Sequence, residues 1–317
     1  MVSHTRTRTG SLKAAMLVGL ALYLVLSSLS TYSWSAGPNY RNVSVDTRVN
    51  ITNALPEVLG VFVSDGFGNI TNITLNAGST KMVYCNVTVR DYDNIGEVNV
   101  SATFYKNETG INDTTPDDNN THYTNLTCGA GSPSGFERNY SCSFAVLYYA
   151  NAGRWICNAT AHDPYPFTNA SANQSGMNVT NINGLLALNV TPLIDYGDMA
   201  VGDISSAPEQ ANVTNFGNLN INVSVKGYGR NISDGLAFVC DVGNISVQYE
   251  KYNAVGGVDL STYVNLSNTL TRIGGLMVPQ QTNDSQQSIN ATYWMLQVPP
   301  NPFGLCNGTV IFQAETS

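Results

Sequence analysis

The chain has 317 residues, room for two domains after a leader, with 43% hydrophobic residues, only 11% charged residues and a formal net charge of −8. Fourteen Lys and Arg against 22 Asp and Glu, with no basic run interleaved with aromatics, argue against nucleic-acid binding.

Residues 1–36 read as an export signal or a membrane anchor. Arg6, Arg8 and Lys13 precede an apolar run from Ala14 to Leu29. Ser33 and Ser35 suit cleavage after Ser35, which would take the net charge to −11. Extension through Trp34 would instead anchor the chain by residues 14–34, with the remainder outside. In either case the protein is expected to be extracellular, meeting the membrane only through this segment. Residues 37–53 follow as a spacer with an alternating strand at 42–52. Val43, Val45, Thr47, Val49 and Ile51 share one side, and Asn42, Ser44, Asp46, Arg48 and Asn50 the other.

A first domain is expected over 54–175, with strands at 58–64, 69–75, 81–90, 96–106, 139–149 and 153–161 and a polar loop at 107–125. In the strand ending at Asp91, Val83, Cys85, Val87 and Val89 face inward; in the strand ending at Asp163, Trp155, Cys157, Ala159 and Ala161 do. Two such strands with cysteines 72 residues apart predict the inter-sheet disulfide of an immunoglobulin-like sandwich. That bond would stabilise by ~4 kcal/mol through chain entropy. Cys128 and Cys142 bracket a glycine-bearing turn and are expected to staple a hairpin. Residues 176–184 read as a linker. A second sandwich is expected over 185–317, with strands at 185–191, 210–216, 218–226, 236–240, 244–250, 288–298 and 306–314 and a Cys240–Cys306 bond. No helical period follows the leader. The fold class is therefore all-β, two tandem immunoglobulin-like sandwiches. Six cysteines without a Cys-X-X-Cys pair, in an exported chain, read as disulfides rather than zinc or redox sites.

The chain holds 38 Asn and 24 Asn-X-Ser/Thr sequons, where its composition alone would give about seven. Among them are Asn42, Asn50, Asn69, Asn72, Asn86, Asn99, Asn139, Asn158, Asn212, Asn222, Asn231, Asn244, Asn265, Asn290 and Asn307. N-linked glycans are thus the expected partners and the expected source of solubility.

Catalytic patterns are missing. His122 and His162 are the histidines beyond the leader, and no nucleophile elbow, His-Glu-X-X-His or phosphate loop occurs. The chain reads as a non-enzyme with no resident cofactor. One cluster suggests an ion: Asp91, Asp93 and Asp163 should gather at one pole of the first sandwich, with oxygen ligands that suit Ca²⁺. The same residues are good turn formers, and their spacing is not that of a complete calcium loop.

Several segments resemble archaeal secreted surface proteins with immunoglobulin-like domains. They are Tyr84-Cys85-Asn86-Val87-Thr88-Val89-Arg90-Asp91, Ala152-Gly153-Arg154-Trp155-Ile156-Cys157-Asn158-Ala159-Thr160-Ala161-His162-Asp163, Leu186-Ala187-Leu188-Asn189-Val190-Thr191, the stretch from Ala211 to Val225, and the closing Tyr293-Trp294-Met295-Leu296-Gln297-Val298-Pro299 with Gly308-Thr309-Val310-Ile311-Phe312-Gln313-Ala314. The resemblance implies a fold and a cell-envelope location and carries no catalytic residues. Trp155 departs from the usual pattern, standing two before the second cysteine where a tyrosine is common. Three functions fit: a glycan-coated structural spacer of the envelope, an adhesin or ligand-binding protein using sandwich loops, or a filament or lattice subunit. Scattered sequons favour the first. The sequon-free stretch 245–264, with Tyr249, Tyr252 and Tyr263, is the place for the second. Strand addition through 42–52 to another envelope protein or a second copy would give the third.

Overall fold

The computed structural model describes residues 44–164 and 173–317. Residues 1–36, expected as an export signal or anchor, and Asn42 lie outside the described residues. No α-helix occurs among the described residues, and none of their helices is long and apolar enough to cross a membrane.

Nine strands build the first sandwich: β1 (Glu57–Ser64), β2 (Asn72–Ile73), β3 (Thr80–Arg90), β4 (Asn99–Lys106), β5 (His122–Asn125), β6 (Gly129–Ala130), β7 (Glu137–Leu147), β8 (Gly153–His162) and β9 (Asn173–Ile182). One sheet has the order β1-β3-β7-β6 and the other β2-β9-β8-β4-β5. This is the two-sheet immunoglobulin arrangement, with β3 and β8 as the cysteine-bearing strands of facing sheets. Strand alternation gives the core: Val83, Cys85, Val87 and Val89 of β3 and Trp155, Cys157, Ala159 and Ala161 of β8 are all buried. Cys85–Cys157 crosses between the sheets. Cys128–Cys142 joins the base of the β6–β7 hairpin, and Cys142 stands directly opposite Cys85 in the β3–β7 register. The two disulfides are therefore neighbours in one core. Trp155 takes the place of the usual tyrosine, its indole N–H donating to the Asn151 carbonyl at 2.8 Å. Phe104 of β4 stacks on it at 4.9 Å.

The stretch expected as a linker at 176–184 is largely strand. Asn173–Ile182 pairs antiparallel with β8 along ten residues, and its last two residues also pair in parallel with β2. The first sandwich thus extends past the expected boundary at 175. Its polar composition suits an outer strand whose backbone is satisfied by a long ladder. The alternation at 42–52 produces no strand in the described part: residues 44–56 join no ladder, and Val45, Val49 and Ile51 are 77–84% exposed. An alternating face makes a strand only where a partner edge completes its hydrogen bonds.

Eleven strands follow: β10 (Leu188–Val190), β11 (Glu209–Asn215), β12 (Ile221–Tyr228), β13 (Leu236–Val242), β14 (Asn244–Ser246), β15 (Glu250–Asn253), β16 (Val264–Asn265), β17 (Thr271–Val278), β18 (Ile289–Leu296), β19 (Phe303–Asn307) and β20 (Thr309–Thr316). The sheets β10-β11-β18-β15-β16 and β17-β12-β20 enclose a second core around Trp294, Ile221, Val223, Val225 and Ile273. A small third sheet, β14-β13-β19, carries Cys240–Cys306 as a directly opposed pair, so this bond joins adjacent strands instead of crossing a core.

Polar side chains lock the two sandwiches together. Asn218 donates to the carbonyls of Ala150 and Asn183, both at 3.0 Å, and Gln280 donates to the Tyr149 carbonyl at 2.6 Å. Tyr148 and Tyr149 donate their hydroxyls to Gln281 and Asp284, and the Gly78 N–H donates to the Phe216 carbonyl at 3.1 Å. Asn218 and Gln281 are buried, so removing one partner while the joint stays closed would leave a buried polar group unpaired.

Candidate functional site

Asp91 and Asp163 follow β3 and β8 and, with Asp93, meet at one pole of the first sandwich. Asp91 is buried, and its N–H donates to the Phe136 carbonyl at 2.9 Å. Asp93 accepts from the Ala54 N–H at 2.9 Å and the Asn94 N–H at 3.0 Å, while the Asn53 amide donates to Asp163. Burial pushes the Asp91 carboxyl up to about 6, helped by its hydrogen bond to Asp93; that same bond holds Asp93 below the usual carboxylate range. Among the described residues no group of three His, Cys, Asp or Glu is arranged to hold a metal. With oxygens engaged by N–H donors, the pole acts as a clasp on residues 53–54.

The polar loop expected at 107–125 is also organised by carboxylates, and sequence reasoning missed the arrangement. Asp118 accepts from the N–H groups of Asn120, Thr121 and His122 at 2.6–3.0 Å. Asp117 accepts from Thr124 and is 2.7 Å from Nδ1 of the fully buried His122. These bonds turn the chain into β5 and hold His122 against Tyr105 at 5.8 Å.

The sequon residues divide by surroundings. Asn50, Asn69, Asn72, Asn99, Asn139, Asn212, Asn231, Asn244, Asn265 and Asn307 are exposed. Asn86, Asn158 and Asn290 are half-buried, and the Asn290 amide donates to the Met277 carbonyl at 2.6 Å. Asn222 is buried at 4% exposure and donates to the Thr316 carbonyl at 3.2 Å. Asn222 lies on the central strand of its sheet, where consecutive residues on both faces are buried.

A cleft of about 410 Å³ on the outer face of the first sandwich is bordered by Phe62, Asn86, Gly129, Asn139 and Tyr140. A second, of about 420 Å³, lies at one seam of the second sandwich, between Leu188, Val190 and Ile194 on one lip and Val310 and Phe312 on the other. Glu250, 2% exposed, lines it and accepts from the Tyr196 hydroxyl at 2.9 Å. Burial pushes this carboxyl up to about 7. The aromatics expected to offer a contact surface at 245–264 are mostly internal. Tyr252 is buried against Trp294 at 5.5 Å, and Tyr263 is buried as well.

No family model matches the chain, and no curated protein matches it.
Among solved structures, the chain is similar to the chaperone–tip adhesion subunit pre-assembly complex of the archaic chaperone-usher Csu pili of Acinetobacter baumannii. The identity is 11% and the TM-score 0.33, over 81% of this chain and 100% of that one. It is also similar to a chaperone–tip adhesin complex of CFA/I fimbriae biogenesis, at 9% identity and a TM-score of 0.29, over 85% and 90% of the two chains.

Proposed function

We propose that this chain is a non-catalytic, N-glycosylated structural component of a cell surface, a stiff two-module β spacer. The observation that carries the reading is the hydrogen-bonded joint of Asn218, Gln280, Gln281, Tyr148 and Tyr149, which fixes one sandwich on the other as a spacer requires. Three disulfides support an oxidising, extracellular setting. Exposed sequons on both sandwiches support a glycan coat in place of a surface dense in charge. The outer cleft of the first sandwich lies between sequon residues Asn86 and Asn139, so glycans there would cover it, which favours a spacer over an adhesin. The test is the intact and enzymatically deglycosylated mass of protein from its own cells. The reading expects a mass excess distributed over several sites and lost on deglycosylation. A chain of unmodified mass would sink it.

A further inference from the structure

One difference between the two sandwiches lies beside β8 and β20. In the first, β8 pairs with β4 on one side and with β9 on the other. The inward residues of β8, Trp155, Cys157, Ala159 and Ala161, are then completely buried. In the second, β20 pairs with β12 as β8 does with β4, but no described strand takes the place of β9 beside it. Its inward residues Val310, Phe312 and Ala314 pack on the core yet stay only partly buried. The seam cavity of about 420 Å³ opens at this place, with Leu188, Val190 and Ile194 on its far lip.

Edge strands recruit partners when they are long, regular and apolar. Among the described edges, β2, β5, β6, β10, β14 and β16 span two to four residues. The longer β1 and β17 each carry a register shift against their neighbour, and β19 shifts against β13. β20 pairs with β12 over eight consecutive residues without a break. It is the edge best suited to extend its sheet.

The chain also carries a segment with a matching pattern. Residues 43–51 alternate Val43, Val45, Thr47, Val49 and Ile51 on one side, and the described part is exposed and unpaired. At ~3.3 Å per residue its length matches that of β20. Its polar side, with Asp46, Arg48 and the sequon residue Asn50, would face water, so glycans there leave docking free.

We propose that residues 43–51 of a second copy add antiparallel to the open edge of β20, as β9 adds to β8, and seat their valines over the seam between Val190 and Phe312. Repeated head to tail, the contact is heterologous and builds a linear assembly. It goes beyond the spacer reading and needs no glycan, so protein made without glycosylation tests it separately.

The experiment uses residues 37–317, which include every described residue, as the parent chain and as Val45→Asp with Val49→Asp. Mass is followed by light scattering over a dilution series, with thermal melting alongside. The expected result is a parent whose mass rises with concentration and a variant that associates about a hundredfold more weakly or not at all. Both substituted positions are exposed, so the variant should keep its strand signal in circular dichroism. A synthetic peptide of residues 42–52 should raise the melting point of the variant, and Phe312→Asp should abolish that rise. A parent that stays monomeric throughout overturns the proposal, as does a variant that assembles like the parent. If the substitutions lower the melting point of a parent that never exceeds monomer mass, the segment closes its own seam, which overturns the assignment to a second copy.

Discussion

Replacing Cys85 and Cys157 by alanine should uncouple the sheets of the first sandwich. The bond closes 72 residues, for which chain entropy gives about 4 kcal/mol of stability. Both sulfurs are fully buried beside Trp155 and Phe104, so the space they leave adds about 1 kcal/mol. A loss of about 5 kcal/mol approaches the entire stability of many domains. Amide hydrogen exchange in the native state reads it strand by strand. Amides of β3 and β8 should lose protection by about a thousandfold or more, at a factor of ten per 1.4 kcal/mol. Amides of β11 and β18, in the second core, serve as the internal control. A loss under tenfold in β3 and β8 would refute the view that this bond restrains the unfolded chain.

Glu250 remains protonated in the folded chain up to about pH 7, against an ordinary value of 4.5. The stability this contributes is complete below about 4.5 and is lost as pH rises through 7; Glu250→Gln should flatten that slope, worth ~3 kcal/mol, in urea titrations at several pH values. Asp91 and Asp93 should have opposite signs. Raised Asp91 stabilises in acid and loses its contribution as pH rises through about 6, whereas lowered Asp93 loses its contribution as pH falls, so Asp91→Asn and Asp93→Asn should tilt the melting-versus-pH curve in opposite directions. Added calcium should leave the melting midpoint unchanged, because the pole's carboxylates already accept N–H bonds; a rise abolished by Asp93→Ala and Asp163→Ala would restore an ion site. Glycopeptide mapping should find Asn69 or Asn72 modified and Asn222 bare, and sugar on Asn222 would contradict its burial in the fold.

Alternation made β3, β7 and β8 legible, because their inward residues are apolar without interruption and the cysteines fall in phase with them. Trp155 two before Cys157 was legible as a departure; its role needed coordinates, since the indole hydrogen bond to Asn151 depends on the turn before β8. β9 escaped because Asn173-Gln174-Ser175-Gly176-Met177-Asn178 has the composition of a linker, and its ladder is a long-range property of the β8 edge. Glu250 escaped for a local reason. Ile245 is inward, but a 3-10 turn at Val247–Tyr249 shifts the phase, so that Glu250 and Tyr252 face the core. A carboxylate thereby ends in the interior, beside a tyrosine hydroxyl. The pairing of Asp93 and Asp163 with residues 53–54 was likewise illegible, since no periodicity in 42–56 marks the two residues that the pole holds.

The disulfides also determine how such a molecule behaves under tension. A pull along the chain reaches Cys85 and leaves at Cys157 through sulfur, so the 72-residue segment between them cannot be drawn out. At full extension that segment would measure about 250 Å. The 66-residue segment closed by Cys240–Cys306 withholds about 220 Å more. With both bonds intact, rupture of the sheets releases only the chain outside these loops, so each sandwich gains about half the length it would gain without its bond. Treatment with a reductant would convert the same chain into a long, compliant one.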